Sequence, residues 1–279
     1  MAFKTLFSVL TDTEMGEDTL PSALALAQTF DAHLDTLCLG LDRTQVANYY
    51  AGATSLLMQE AYDRAKDEAS RIEQAARKAL SRSDARWGCQ AEVAQMADLT
   101  RIVSLNARFA DLAVMPQPYA KGRGAEVEAA LEACLFDASV PVLVLPKGSH
   151  LTERPRRVLV AWNESAEALR AVKCALPLIE GADQVHVVLV DPPAHGPMRS
   201  DPGGLLSQFL ARHGHKVEVE VLSKTLPRVA DVIARHAGDM DADMLVMGAY
   251  GHSRFREAIF GGATRYMLEH APRPVLMAR

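Results

Sequence analysis

The chain repeats itself, and the repeat limits what it can fold into. Asp111-Leu-Ala-Val-Met recurs as Asp243-Met-Leu-Val-Met, and Pro141-Val-Leu-Val recurs as Pro274-Val-Leu-Met. Near the start of each half, Phe7-Ser-Val-Leu-Thr-Asp12 is matched by Val158-Leu-Val-Ala-Trp-Asn163. Short apolar runs of this kind read as buried strands, and the segments between them carry apolar residues at helical spacing. Parallel strands need crossover helices rather than tight turns. Two copies of a β-α-β-α-β-α-β-α-β unit therefore predict an α/β chain of two tandem doubly wound, five-stranded, Rossmann-like parallel sheets.

In the first half the strands are expected over 6–10, 34–41, 89–93, 111–116 and 140–146, with helices over 20–30, 59–80, 98–109 and 126–136. The second of these helices places Ala61, Ala65, Ala69, Ile72 and Ala76 on one stripe, which suits a helix covering a sheet face. In the second half the strands are expected over 157–163, 185–190, 217–222, 244–247 and 274–278. Its helices are expected over 165–179, 205–212 and 229–236, with a last one opening at Gly261-Gly262 and stopped by Pro272. Residues 147–156 read as a linker, which divides the chain into domains 1–148 and 154–279.

Composition narrows the function classes. A net charge of -5 with no basic run argues against a nucleic-acid surface. No apolar stretch reaches membrane-spanning length, and the N-terminus runs directly into strand-like sequence, so a cytoplasmic protein is expected. Cys38, Cys89, Cys134 and Cys174 stand singly, without metal-ligand or disulfide spacing, and read as small buried hydrophobes. No P-loop, no G-x-S-x-G elbow and no nucleophile–base pair is present, so no catalytic residue is assigned.

The chemistry concentrates after the strand at 244–247. Gly248, Gly251, Gly261 and Gly262 would let backbone N–H groups approach an anion, the last pair at a helix N-terminus, where the dipole favours phosphate. His252, Arg254 and Arg256 follow the turn, either in reach of a triphosphate or on a solvated loop. Ligands of doubly wound sheets sit beyond the strands' carboxyl ends where strand order reverses, which gathers Asn163, Val190 and the Gly248 loop around one crevice.

On these residues the chain resembles a tandem universal stress protein, two fused domains of that family with the adenine nucleotide alpha hydrolase-like fold. The family's nucleotide signature (Gly, two residues, Gly, nine residues, Gly, then Ser or Thr) is similar to Gly248, Gly251 and Gly261, with Gly262 in the hydroxyl position and Thr264 matching a second hydroxyl position. Asn163 replaces the family's first-strand Asp, Glu164 replaces the Gly that commonly follows, and the backbone adenine contact falls on Val190. The resemblance implies an ATP site, with Mg2+ accompanying the nucleotide, formed by Asn163, Val190, Gly248, Gly251, His252, Gly261, Gly262 and Thr264.

The first half keeps Asp12 but has Pro116 and Pro118 where the glycine loop should be, which removes donors. No nucleotide is expected there. The resemblance further implies that the strands at 140–145 and 274–278 pair within the chain, with a homodimer as a further possibility. Two function classes stay open: a nucleotide-binding stress-response or signalling protein, and a nucleotide-free dimerising scaffold of the same fold.

Overall fold

The computed structural model describes residues 2–43, 54–119, 122–192, 201–249 and 262–279. They fall into two compact units, Ala2–Val140 and Pro141–Arg279. The first runs β1 (Thr5–Leu10), α1 (Thr13–Phe30), β2 (His33–Asp42), α2 (Thr54–Leu80), β3 (Arg86–Gln95), α3 (Met96–Ala107), β4 (Leu112–Pro116) and α4 (Ala125–Glu132), whose last residues continue into a π turn at Ala133–Asp137. Its strands are all parallel in the order β3-β2-β1-β4.

The second unit runs β5 (Val142–Leu145), β6 (Arg157–Ala161), α5 (Ala166–Ile179), β7 (Gln184–Val190), α6 (Gly204–Arg212), β8 (Val217–Leu222), α7 (Val229–Asp239), β9 (Met244–Gly248), α8 (Ala263–His270) and β10 (Val275–Ala278). Five strands are parallel in the order β10-β9-β6-β7-β8, and β5 joins β10 antiparallel. The doubly wound α/β architecture expected from the repeat is therefore present.

Inner strands are buried on both faces, which is why they read as unbroken apolar runs: every residue of β4, β5 and β10 is buried. The alanine stripe of α2 does cover the sheet, since Ala65, Ala69, Ile72 and Ala76 are buried. In the β5–β10 ladder, Val275 faces Val144, Leu276 faces Leu143 and Met277 faces Val142, as the pairing of these two strands requires. Compactness divides the chain before β5, so this strand packs with the second unit.

The repeated aspartate has a structural cause. Asp111, just ahead of β4, accepts the backbone N–H groups of Lys4 (2.6 Å) and Thr5 (3.0 Å) at the start of β1. Asp243, just ahead of β9, does the same for Arg156 and Arg157, both at 2.8 Å, at the start of β6. One carboxylate thus sets the register of the first strand against the fourth in each half. A hydrogen bond to a charged acceptor contributes about 1.5–3 kcal/mol, less where water competes. Asp243→Ala is expected to cost about 2–3 kcal/mol in all, read as a lower denaturant midpoint at unchanged slope, and Asp243→Asn should recover part of the loss.

Candidate functional site

In the second unit the chain leaves β6 for β7 on one side and later returns to β9 on the other. Strand order therefore reverses beside β6, and the crevice outside these carboxyl ends is the place where such sheets bind ligands. The ends are level, because Ala161 of β6 faces both Val188 of β7 and Met247 of β9. Asn163 lies two residues beyond β6, Val190 is the last residue of β7 and Gly248 the last of β9. Three of the expected site positions are thus carried side by side.

The turn after β6 explains its own sequence. Asn163 is exposed, and its side-chain oxygen accepts from Ser165 N–H at 3.2 Å, an Asx turn leading into α5. Ser165 caps the helix by accepting from Ala168 N–H at 3.1 Å. Glu164, exposed between them, has φ +62°, the left-handed region that costs a residue with a Cβ about 1–2 kcal/mol. A glycine would meet this turn without strain, and Glu164 holds it with a carboxylate at the crevice mouth.

Gly248 has a packing role as well. A Cβ there would lie 2.6 Å from Ala168 N and 2.8 Å from Glu167 C, so the first turn of α5 packs directly on the end of β9. Gly262 is the N-cap of α8, extended at φ -60° and ψ 169°, with no side chain capping the helix. Thr264, in the first turn, is buried. Gly251, His252 and Gly261, with Arg254 and Arg256, lie outside the described residues. Among the described residues no group of three or more His, Cys, Asp or Glu is placed to hold a metal ion.

His186, inside the apolar β7, is a partnered core histidine: its Nδ1 lies 2.7 Å from Glu220 Oε1, and His236 Nε2 lies 3.2 Å from Glu220 Oε2. Burial raises the Glu220 carboxyl, but the hydrogen bond from His186 and the charges of both imidazoles outweigh it and hold it below its usual range.

The first unit carries the same corner with opposite chemistry. Asp12 follows β1 and caps α1, accepting from Met15 N–H at 2.7 Å. Arg123 donates to both Asp12 oxygens, at 3.3 and 3.2 Å, and to Asp18 at 2.5 Å, with only 4% of its side chain exposed. Gly124 caps α4 as Gly262 caps α8. Aligned on these caps, Arg123 stands in the sequence position of Gly261, and Glu126 in that of Thr264. Glu126 is buried at the α4 N-terminus and accepts from Arg43 at 3.0 Å. A phosphate would meet carboxylates there, whereas the second half has Thr264 in the place of Glu126 and a glycine N-cap that gives the helix no side-chain cap. The cap alignment, Arg-Gly-Ala-Glu against Gly-Gly-Ala-Thr, was the signal in the sequence for this latch.

Residues 155–279 match the family model described as universal stress protein family. A search of curated proteins matches Universal stress protein Slr1230 of Synechocystis sp., 31% identical over 140 residues. That match covers 50% of this chain and 47% of the relative, so the chain spans about half the length of the curated protein it matches. Among solved structures, a universal stress protein from Archaeoglobus fulgidus superposes with TM-score 0.65 at 16% identity, covering 99% of this chain and 96% of that one. A putative universal stress protein from Pseudomonas aeruginosa gives 0.60 at 16% identity, covering 99% and 93%. At such identities the likeness speaks for the fold alone, and it spans both halves. Residues 155–279 are thus similar to the universal stress protein family, and the fold of that family spans the chain.

Proposed function

We propose that domain 154–279 binds one adenine nucleotide, ATP with its Mg2+, and that occupancy sets the conformation or partner choice of a cytoplasmic stress-response or signalling protein. The site comprises Asn163, Val190, Gly248, Gly251, His252, Gly261, Gly262 and Thr264. The observation that carries this reading is the N-terminus of α8, opened by Gly262 without a side-chain cap at the end of the connection from β9. Unsatisfied helix N–H groups and the positive dipole end suit a phosphate. Asn163 both donates and accepts, which suits a nucleoside, and Val190 offers backbone groups at a strand end. Mg2+ would arrive with the triphosphate rather than be held by the protein alone.

No turnover is assigned, because the sequence offers no recognisable nucleophile–base pair. Domain 1–148 takes no nucleotide. The second reading, a nucleotide-free scaffold that also forms homodimers, draws support from the Glu164 carboxylate at the crevice mouth and from the latched first unit.

Absorbance and mass analysis of denatured, freshly purified protein tests the choice: a co-purified adenine nucleotide supports the first reading, and nucleotide-free protein that also fails to respond to added ATP supports the second. Glu164→Gly separates strain from charge. It is expected to stabilise the domain by about 1 kcal/mol through relief of the left-handed turn and to tighten ATP binding about threefold to tenfold by removing a carboxylate. Weaker binding of Mg2+-ATP by Glu164→Gly would mean that this carboxylate contacts the metal.

A further inference from the structure

Two thiols that the sequence treats as isolated hydrophobes are neighbours in the first unit. In the β2–β3 ladder Cys89 faces Thr36 and Cys38 faces Ala91, so the cysteines are offset by two positions on adjoining strands. Their sulfur atoms lie 3.7 Å apart. Cys38 is fully buried, whereas Cys89 is half-buried on β3, the end strand of the sheet. Arg77 of α2 donates to the Cys89 carbonyl at 2.5 Å and pairs with Glu73 at 2.8 Å, so a cation stands beside the more accessible thiol.

We propose that Cys89 and Cys38 form a reversible oxidation site for hydroperoxides, with Cys89 as the attacking thiol and Cys38 as the resolving one. A reactive cysteine is an accessible thiolate in an electropositive setting, poised next to a partner thiol. Cys89 meets each condition. The hydrogen bond from Cys38 lowers its thiol and the Arg77 charge adds to this, against burial and Glu73. Cys38 is raised, first by its hydrogen bond with Cys89 and then by burial, so it stays protonated until the partner has reacted. The other two cysteines lack this setting: burial pushes Cys134 up to about 12, and burial also raises Cys174.

The chemistry balances in two steps. The Cys89 thiolate attacks one oxygen of the hydroperoxide, the O–O bond breaks, and the alkoxide or hydroxide leaves and is protonated, giving a sulfenic acid. Cys38 sulfur then attacks the sulfenyl sulfur, and hydroxide leaves with the Cys38 proton as water. Two thiols have been oxidised by two electrons, and the hydroperoxide has been reduced to alcohol or water. Closing the bond brings the sulfurs from 3.7 Å to about 2.05 Å. Among the described residues β3 is laddered to β2 alone, so it is the strand free to shift, and oxidation would draw it against β2 and strain the grip of Arg77 on the Cys89 carbonyl.

The test treats the reduced full-length protein with hydrogen peroxide. The expected result is loss of two of the four thiols, a single cross-linked peptide pair containing Cys38 and Cys89, and full reversal by dithiothreitol. Cys38→Ser should trap Cys89 as a sulfenic acid captured by dimedone, and Cys89→Ser should leave Cys38 unreacted at the same dose. Arg77→Ala should slow the first step by about threefold to tenfold. Linkage through Cys134 or Cys174, over-oxidation of Cys89 with Cys38 intact in the wild type, or unchanged reactivity of Cys89→Ser would each overturn the proposal.

Discussion

Replacing Val144 and Val275 together by aspartate is expected to abolish the cooperative fold of residues 141–279. The two side chains face each other in the β5–β10 ladder and are 1% and 0% exposed. Two carboxylates there would be buried, unpaired and opposed, each costing several kcal/mol. A domain's whole stability is about 5–15 kcal/mol, so the sum removes most or all of it. Circular dichroism and limited proteolysis should show the second unit lost at room temperature. The apolar Val144→Ile or Val275→Ile, which adds one methylene to the packed ladder, should cost only about 1–3 kcal/mol. A double-aspartate protein with the wild-type melting temperature and a compact scattering radius would mean that these strands do not pair in solution.

The second large effect is expected at Arg123. Its guanidinium is nearly enclosed and binds two carboxylates, of which Asp18 is 16% exposed and Asp12 41%. Removing one partner of a buried pair costs about 3–5 kcal/mol because the other charge is left stranded. Exposure of Asp12 reduces this, so Arg123→Leu should lose about 2–4 kcal/mol. Adding Asp18→Asn should restore part of the loss, and the double-mutant cycle isolates the pair. Arg123→Gly recreates the Gly-Gly pair of the second half. It should still bind no ATP, because Glu126 remains at the α4 N-terminus and Pro116 still lacks an N–H. Nucleotide binding gained by Arg123→Gly would show that the arginine alone closes this crevice.

The fold was legible because its inner strands are apolar on both faces and its helices carry continuous stripes. What was misjudged lies where other forces set the limits. The apolar stripe suggested a first helix over 20–30, but α1 begins at Thr13 because Asp12 caps it there, and it accommodates Pro21 within. The strand expected over 89–93 runs Arg86–Gln95, because its ladder with β2 is backbone pairing that does not need apolar alternation. The repeated Asp111 and Asp243 were visible as a pattern, but their reason, two N–H groups at the start of another strand, is a contact 86 to 107 positions distant.

The site was less legible for the same reason. Glycine spacing after β9 marks a loop, yet Gly248 is glycine because α5 abuts it. Arg123 reaches Asp12 and Asp18 over more than 100 positions, so the cap alignment marks its position in the sequence but not its partners. The thiol pair joins residues 51 apart on neighbouring strands and leaves no spacing motif.

The central claim, that residues 154–279 hold one adenine nucleotide in the crevice beside β6, is tested most directly by calorimetry. Nucleotide-stripped full-length protein would be titrated with ATP and Mg2+, beside the variants Asn163→Ala, Thr264→Val and Arg123→Leu. The expected result is one ATP per chain, weakened about fivefold to tenfold by each of the first two variants, which remove single hydrogen bonds of about 1 kcal/mol or slightly more. Arg123→Leu, in the other unit, should leave the affinity unchanged. Absence of both heat and thermal shift at millimolar ATP, or binding that Asn163→Ala and Thr264→Val leave untouched, would contradict the claim.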